Sequence, residues 1–307
     1  GRIKGKTMSD KIGIMIGYKD RPTELALLLQ SLRTQTYKNF EIFISDDASG
    51  TPVQAYHFLM CLFNKLNEEG NFVHYSKNDF NLGVSKNRQK LVDDVMKFDK
   101  FDLMCRLDDD IILDSKYFEK LLDVLNKGYS MATGVTPFIG QAQFKRESRF
   151  IQPIGNRVIL DNEGNFIMNG DDFGILYLDE AIIPIHHFRS CALYKREIHE
   201  KVSYDNRLTK HGFREEEILS FKMIVNGFTM AVNTGAIAWH LLTPSGGERT
   251  PDAPDLTKIN EDELKRFTKE LYEKNGDFIE EYNKKLNIKT VMPSNEELLK
   301  PTNLVLK

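Results

Sequence analysis

Residues 12–47 read IGIMIGYKDRPTELALLLQSLRTQTYKNFEIFISDD. Ile12–Gly17 is a short apolar run of strand length. A helical pattern follows from Thr23 to about Thr34, with Leu25, Leu28, Leu29 and Leu32 at i, i+3, i+4 and i+7, one face of an amphipathic helix. Phe40–Ser45 is strand-like again. The stretch is therefore one β-α-β unit, and the same rhythm continues outward from it. Val53–Leu66 reads as a helix, Phe72–Tyr75 as a strand, Ser85–Met96 as a helix and Asp102–Leu107 as a strand. Ser115–Leu125, with Ser115 as N-cap, reads as a helix and Ser130–Val135 as a strand. Strands alternating with helices of this length predict an α/β fold built on a mainly parallel sheet flanked by helices.

After Val135 the rhythm breaks. Thr136–Pro184 is rich in Gly, Asn, Asp and aromatic residues, and Asp161–Asn165 looks like a turn between two short strands. An insertion of this kind shapes a binding site on one side of a sheet. Regular structure resumes with Phe188–Tyr194, a helix at about Glu215–Asn226, and strands near Thr229–Val232 and Ala236–Trp239. Thr243–Asp255, with three prolines and two adjacent glycines, is a loop or lid. Asn260 then caps a helix with Glu263 as its reciprocal partner, and Leu264, Phe267 and Leu271 give that helix an apolar stripe. Residues 10–245 are thus expected to form one domain, and 246–307 a lid loop and C-terminal helical extension. That helix either docks on the domain or joins two copies as a homo-oligomer. There is no internal repeat.

Composition narrows the class. Of 307 residues, 42 are Lys or Arg and 45 Asp or Glu, a formal net charge of −3. So even a balance argues against a protein that grips nucleic-acid phosphates. Cys61, Cys105 and Cys191 have neither zinc spacing nor pairs for a disulfide framework, which fits reduced thiols in the cytoplasm. No apolar run approaches the roughly 18 residues needed to cross a bilayer. Gly1–Thr7 is basic but lacks the apolar core of a secretory signal, and Met8 is the expected natural start.

Ligands of open α/β sheets bind beyond the carboxyl ends of the strands. Asp46-Asp47-Ala48-Ser49 follows the second strand and Asp108-Asp109-Asp110 the fourth. Two acidic clusters on one sheet edge repel, and a divalent cation such as Mg²⁺ or Mn²⁺ resolves the repulsion. Alone, an Asp triplet is a solvated turn; straight after an apolar strand it is a candidate site.

These residues also carry a resemblance. Ile12–Gly17 with Tyr18-Lys-Asp-Arg21, Ser31–Ser49 with its Gln-Thr-Tyr turn and Asp-Asp-Ala-Ser, Asn81-Leu-Gly83 running to Arg88, and Leu107-Asp-Asp-Asp-Ile111 stand in order and at spacing that resembles a family 2 glycosyltransferase of the GT-A fold, over about residues 10–241. Each motif is weak and the set is specific. The sequence departs from the pattern in three places. Ile16 or Gly17 stands where a proline is common, and Ala48 replaces the Gly of Asp-Asp-Gly-Ser. Ser190-Cys191-Ala192 takes the place of paired glycines ahead of Arg196-Glu197.

The resemblance implies a metal-dependent, inverting transfer of a sugar from a nucleoside-diphosphate sugar, UDP-linked by expectation, to an acceptor hydroxyl on a glycan, a lipid-linked sugar or a protein. It implies donor binding by Gly17, Tyr18, Arg21, Asp47 and Arg88, with Asp108 and Asp109 beside them. Asp108 and Asp110 would hold Mn²⁺ or Mg²⁺, and His240 would supply a further ligand. The catalytic base is Glu216 or its neighbour Glu215, at the start of the helix in His211–Lys222. Acidic residues also favour helix N-termini for purely electrostatic reasons. Two rivals stand beside this reading. A nucleotidyltransferase shares the fold and metal chemistry but needs a Gly-rich, Lys/Arg-bearing phosphate loop after the first strand, which is missing. A non-catalytic nucleotide-sugar or glycan-binding module would bind donor without transfer.

Overall fold

A computed structural model describes residues 10–137, 139, 180–185, 187–212 and 214–248, the backbones of strands 158–160 and 166–168, and five helical residues between 262 and 273. The chain runs β1 (Ile12–Tyr18), α1 (Pro22–Arg33), β2 (Phe40–Asp46), α2 (His57–Glu68), β3 (Val73–Lys77), α3 (Val84–Met96) and β4 (Leu103–Leu107). It continues with β5 (Ile111–Leu113), α4 (Tyr117–Asn126), β6 (Met131–Val135), β7 (Val158–Leu160), β8 (Phe166–Met168) and β9 (Ile182–Pro184). The last elements are β10 (Ala192–Lys195), α5 (Glu197–Lys201), α6 (Glu215–Val225) and β11 (Met230–His240).

Nine strands form one sheet in the order β3-β2-β1-β4-β10-β6-β11-β5, with β9 also paired to β11. The β3-β2-β1-β4 half is parallel, as the β-α-β rhythm requires. β10 enters antiparallel between β4 and β6. The period of two along a strand divides the core. Ile12, Ile14 and Ile16 pack with the leucines of α1 and with Phe118 and Leu121 of α4 on one face. Met15 packs on the other face with Leu91, Val95 and Phe101 and with the α6 residues Ile218 and Phe221.

Differences from the sequence reading have local causes. The second helix starts at His57 rather than Val53, because Val53–Ala55 makes a tight 3₁₀ turn and Tyr56 is extended, with φ −101° and ψ 95°. Ser115 is not an N-cap; Lys116 holds that place without a side-chain bond, and the Ser115 carbonyl instead accepts from the Thr36 amide at 2.9 Å. The two strands read at 229–232 and 236–239 are one strand, β11, whose register with β6 shifts between Val232 and Ile237. Of Phe188–Tyr194, only the end is strand. β7 and β8 pair as an antiparallel hairpin, as the Asp161–Asn165 turn implied. The cap at Asn260 lies outside the described residues; Asp262, Lys265, Arg266, Lys269 and Glu273 are helical. No helix among the described residues is long and apolar enough to cross a membrane.

Candidate active site

The carboxyl ends of β1, β2 and β4 open into a cavity of about 650 Å³ that also meets the start of α6 and the segment after β11. Gly17, Tyr18, Arg21, Asp47, Arg88, Asp108, Asp109, Asp110, Glu215, Glu216 and His240 all line it, so the donor, metal and base residues that the resemblance implies reach one chamber.

Sheet register explains how Asp108, Asp110 and His240, a candidate metal-binding group, come together. β5 pairs antiparallel with the end of β11, His240 opposite Ile111, and the Leu241 amide donates to the Asp110 carbonyl at 2.9 Å. His240 is thereby carried to the Asp triplet across more than a hundred residues of chain. Its Nε2 lies 3.6 Å from Asp110 Oδ1, while Nδ1 accepts from the Leu242 amide at 3.0 Å. One ligand atom from each of Asp108, Asp110 and His240 falls within 4.8 Å of the others. Two carboxylates and an imidazole are the donor set that Mn²⁺ accepts and Mg²⁺ tolerates.

The triplet divides its work. Asp108 is held by Arg88 Nη2 and by the Ser190 hydroxyl, and Arg88 also donates to the Leu107 carbonyl at 3.0 Å. Burial would raise the Asp108 pKa, but the Arg88 and Arg106 guanidiniums outweigh it and hold the group below its ordinary value. Asp109 accepts from Arg21 Nη1 at 2.8 Å and from the Lys19 amide at 3.3 Å. Burial still pushes it up to about 7 against the pull of Arg21. Asp110 lies 3.1 Å from the same Arg21 nitrogen; burial and the nearby Asp108 charge raise it.

Asp47 turns to a different task. Its carboxylate accepts from the Leu82 amide at 2.7 Å, the Gly83 amide at 2.9 Å and Asn78 Nδ2 at 3.0 Å. It therefore shapes the loop that leads into α3. Gly83 at φ +85° presses on Lys210, where a Cβ would lie 2.5 Å from the Lys210 Cα, so the same loop anchors the chain that enters α6.

Glu215 and Glu216 differ sharply. Arg106, fully buried on β4, donates Nη2 and Nη1 to the two Glu215 oxygens at 2.7 and 3.0 Å. Glu216 shares that guanidinium through Oε1 at 3.2 Å and accepts from the Ser190 amide at 2.6 Å. Its side chain keeps 28% exposure, toward the cavity. Burial, then the charge of Glu215, pushes Glu216 up to about 8 against the pull of Arg106.

The model of the family described as glycosyl transferase family 2 matches residues 14–203, more than half of the chain. The chain belongs to glycosyl transferase family 2. Its mixed, mainly parallel sheet is that of the GT-A fold. No curated protein matches it. Among solved structures, this family 2 member is similar to S. aureus TarS, at 14% identity and TM-score 0.53, over 76% of this chain and 37% of that one. A TarS 1–349 structure gives 15% identity and TM-score 0.51, over 75% of this chain and 60% of that one. The crystal structure of GalNAc-T7 with UDP, GalNAc and Mn²⁺ gives 13% identity and TM-score 0.62, over 91% of this chain and 55% of that one. The chain thus spans between about a third and three-fifths of the length of these proteins, and the likeness is one of fold.

Residues outside the motifs read from the sequence also meet at the cavity, among them Arg106, Ser190, His211 and Glu248. Arg106 was hidden inside an apolar strand, and a lone Arg in such a run is itself the available signal. Ser190, at φ +61°, was noted only as a departure from paired glycines. His211 lines the cavity without any ligand spacing. Glu248 reaches back to accept from Asn81 Nδ2 at 2.6 Å, a pairing across 167 positions that no local pattern announces. The lid loop read over Thr243–Asp255 lies outside the described residues beyond Glu248.

Proposed function

We propose that the chain is an inverting, metal-dependent glycosyltransferase that moves a sugar from a UDP-sugar to an acceptor hydroxyl. The observation that carries this is the arrangement of one cavity: the Asp108, Asp110 and His240 group on one wall and the Glu216 carboxylate on another. Asp108, Asp110 and His240 would hold Mn²⁺ or Mg²⁺, the imidazole favouring Mn²⁺. Such an ion supplies Lewis-acid neutralisation of the charge growing on a diphosphate leaving group. The GalNAc-T7 structure, which contains UDP and Mn²⁺ on a similar fold, supports the choice of nucleotide and metal.

Glu216 takes the proton from the acceptor oxygen as that oxygen attacks the anomeric carbon on the face opposite the diphosphate. Its pKa near 8 suits a base at neutral pH, and its exposure to the cavity leaves room for an acceptor. Glu215 is unsuited, since both its oxygens are bound by Arg106. Arg88 positions Asp108 for the donor, and Arg21 neutralises Asp109 and Asp110. Tyr18 and Gly17 form the donor floor, and Asp47 reaches the nucleotide base through the loop it holds as well as by its own carboxylate. Residues 10–245 form the catalytic domain and 246–307 its lid and helical extension. The free thiols Cys61, Cys105 and Cys191 support a cytoplasmic setting.

The test is a pair of near-isosteric variants. Asp110→Asn and Glu216→Gln each lower sugar transfer on the order of 10²–10⁴-fold while circular dichroism shows the fold retained. Full transfer by Glu216→Gln removes the base assignment, and full transfer by Asp110→Asn removes the metal group.

A further inference from the structure

Ser190 lies where the two walls of the cavity meet. β10 runs antiparallel to β4 with Ala192 opposite Arg106, so the chain two residues earlier falls beside Asp108. All three polar groups of Ser190 are spent there. Its hydroxyl donates to Asp108 Oδ2, its amide donates to Glu216 Oε1 at 2.6 Å, and its carbonyl accepts from Arg106 Nε at 2.8 Å. The residue is 9% exposed, and its φ of +61° is a left-handed conformation that side chains other than glycine seldom adopt. In this conformation the amide faces Glu216 and the carbonyl faces Arg106 while the hydroxyl reaches Asp108.

We propose that Ser190 is a positioning residue that sets the spacing between the two carboxylates of the reaction, tying Asp108 through its hydroxyl and Glu216 through its amide. This rests on the roles assigned above to Asp108 and Glu216. The two ties depend on different properties of one residue. The first needs the hydroxyl, because a metal-binding carboxylate is oriented by the donors behind it. The second needs the left-handed backbone, which glycine keeps freely and a β-branched residue resists.

Two substitutions separate them. Ser190→Gly keeps the backbone and removes the hydroxyl; Ser190→Thr keeps a hydroxyl and strains the backbone. Mn²⁺ binding to the donor-free protein is read by electron paramagnetic resonance of free Mn²⁺. Hydrolysis of UDP-glucose, UDP-galactose and UDP-N-acetylglucosamine is read at saturating Mn²⁺. The expected result is a crossed pattern. Ser190→Gly weakens Mn²⁺ binding about tenfold, and Ser190→Thr weakens it less. Ser190→Thr lowers kcat about tenfold, a larger loss than glycine causes, because the base is misaimed. Mn²⁺ affinity in Ser190→Gly equal to wild type overturns the inference, as do equal proportional losses in both variants, which a merely structural role would give. Should Ser190→Thr fail to fold, the Mn²⁺ titration of Ser190→Gly alone decides. Wild type that takes no Mn²⁺ overturns the metal reading and this inference together, an outcome distinct from the loss of the inference alone.

Discussion

Two adjacent carboxylates on the first turn of α6 lie within reach of one buried guanidinium, and only Glu215 is consumed by it. A buried ion pair contributes little net stability when intact but is costly to break from one side, because the remaining charge stays buried. Arg106→Met is therefore expected to lose about 3–5 kcal/mol in urea unfolding, and Arg106→Met with Glu215→Met to recover most of it. Equal losses in the single and double variants would deny that the pair is a unit. Glu216 carries a pH signature. Its pKa lies near 8 against an ordinary 4.5, so kcat/KM for transfer rises with pH through an acid limb well above the usual carboxylate range. The stability sign is opposite: a carboxyl with a raised folded pKa supports the fold fully below about 4.5 and loses that support as pH rises through about 8. Melting curves of wild type and Glu216→Gln should accordingly diverge across that window, with wild type falling. Parallel curves would remove the perturbed titration.

At the scale of elements, the chamber depends on the turns at the strand ends. Asp47 holds the loop between β3 and α3 by accepting from two backbone amides, those of Leu82 and Gly83. Asp47→Ala strands them and is expected to cost about 1–3 kcal/mol, together with weaker UDP binding by calorimetry. Unchanged stability and UDP affinity would place the loop elsewhere in the energetics. The same scale shows what sequence patterns can and cannot reveal. β1, α1, β2 and β4 were legible because each buries a face with its own period, as Leu25, Leu28, Leu29 and Leu32 do. β5 was not, since three residues behind an Asp triplet hold too little periodicity to stand out. The antiparallel entry of β10 between β4 and β6 was also invisible, because a strand's residues state that it is buried and not which neighbour it takes. That single entry brings Ser190 to Asp108. The candidate site was thus legible where family motifs mark it, His240 included, and hidden where unmarked residues such as Ser190 and Arg106 meet it only through sheet register.

Over the whole molecule the near-balance of 45 acids and 42 bases conceals a segregation. Asp46–Asp47, Asp108–Asp110 and Glu215–Glu217 gather at one edge of the sheet; neutral donors hold the first pair, and internal cations answer most of the rest. Arg21 answers Asp109 and Asp110, Arg88 answers Asp108, and Arg106 answers Glu215. The segment after β11 folds back on this edge: the Gly247 amide donates to the Lys19 carbonyl at 2.7 Å, and the Ser245 carbonyl accepts from Arg21 Nε at 3.3 Å. Gly246, at φ +71°, approaches so closely that a Cβ would lie 2.5 Å from the Asp20 carbonyl oxygen. The strap is thus fastened to Arg21, which pairs with Asp109 and Asp110, at the rim of the cavity. The measurement that tests this account most directly is UDP release from a panel of UDP-sugars by chelator-treated protein, before and after addition of Mn²⁺, for wild type and Asp110→Asn side by side. The account predicts release that stops with chelator, returns with Mn²⁺ in wild type and stays absent in Asp110→Asn. Undiminished release in chelator, or Mn²⁺-restored release by Asp110→Asn at the wild-type rate, would contradict it.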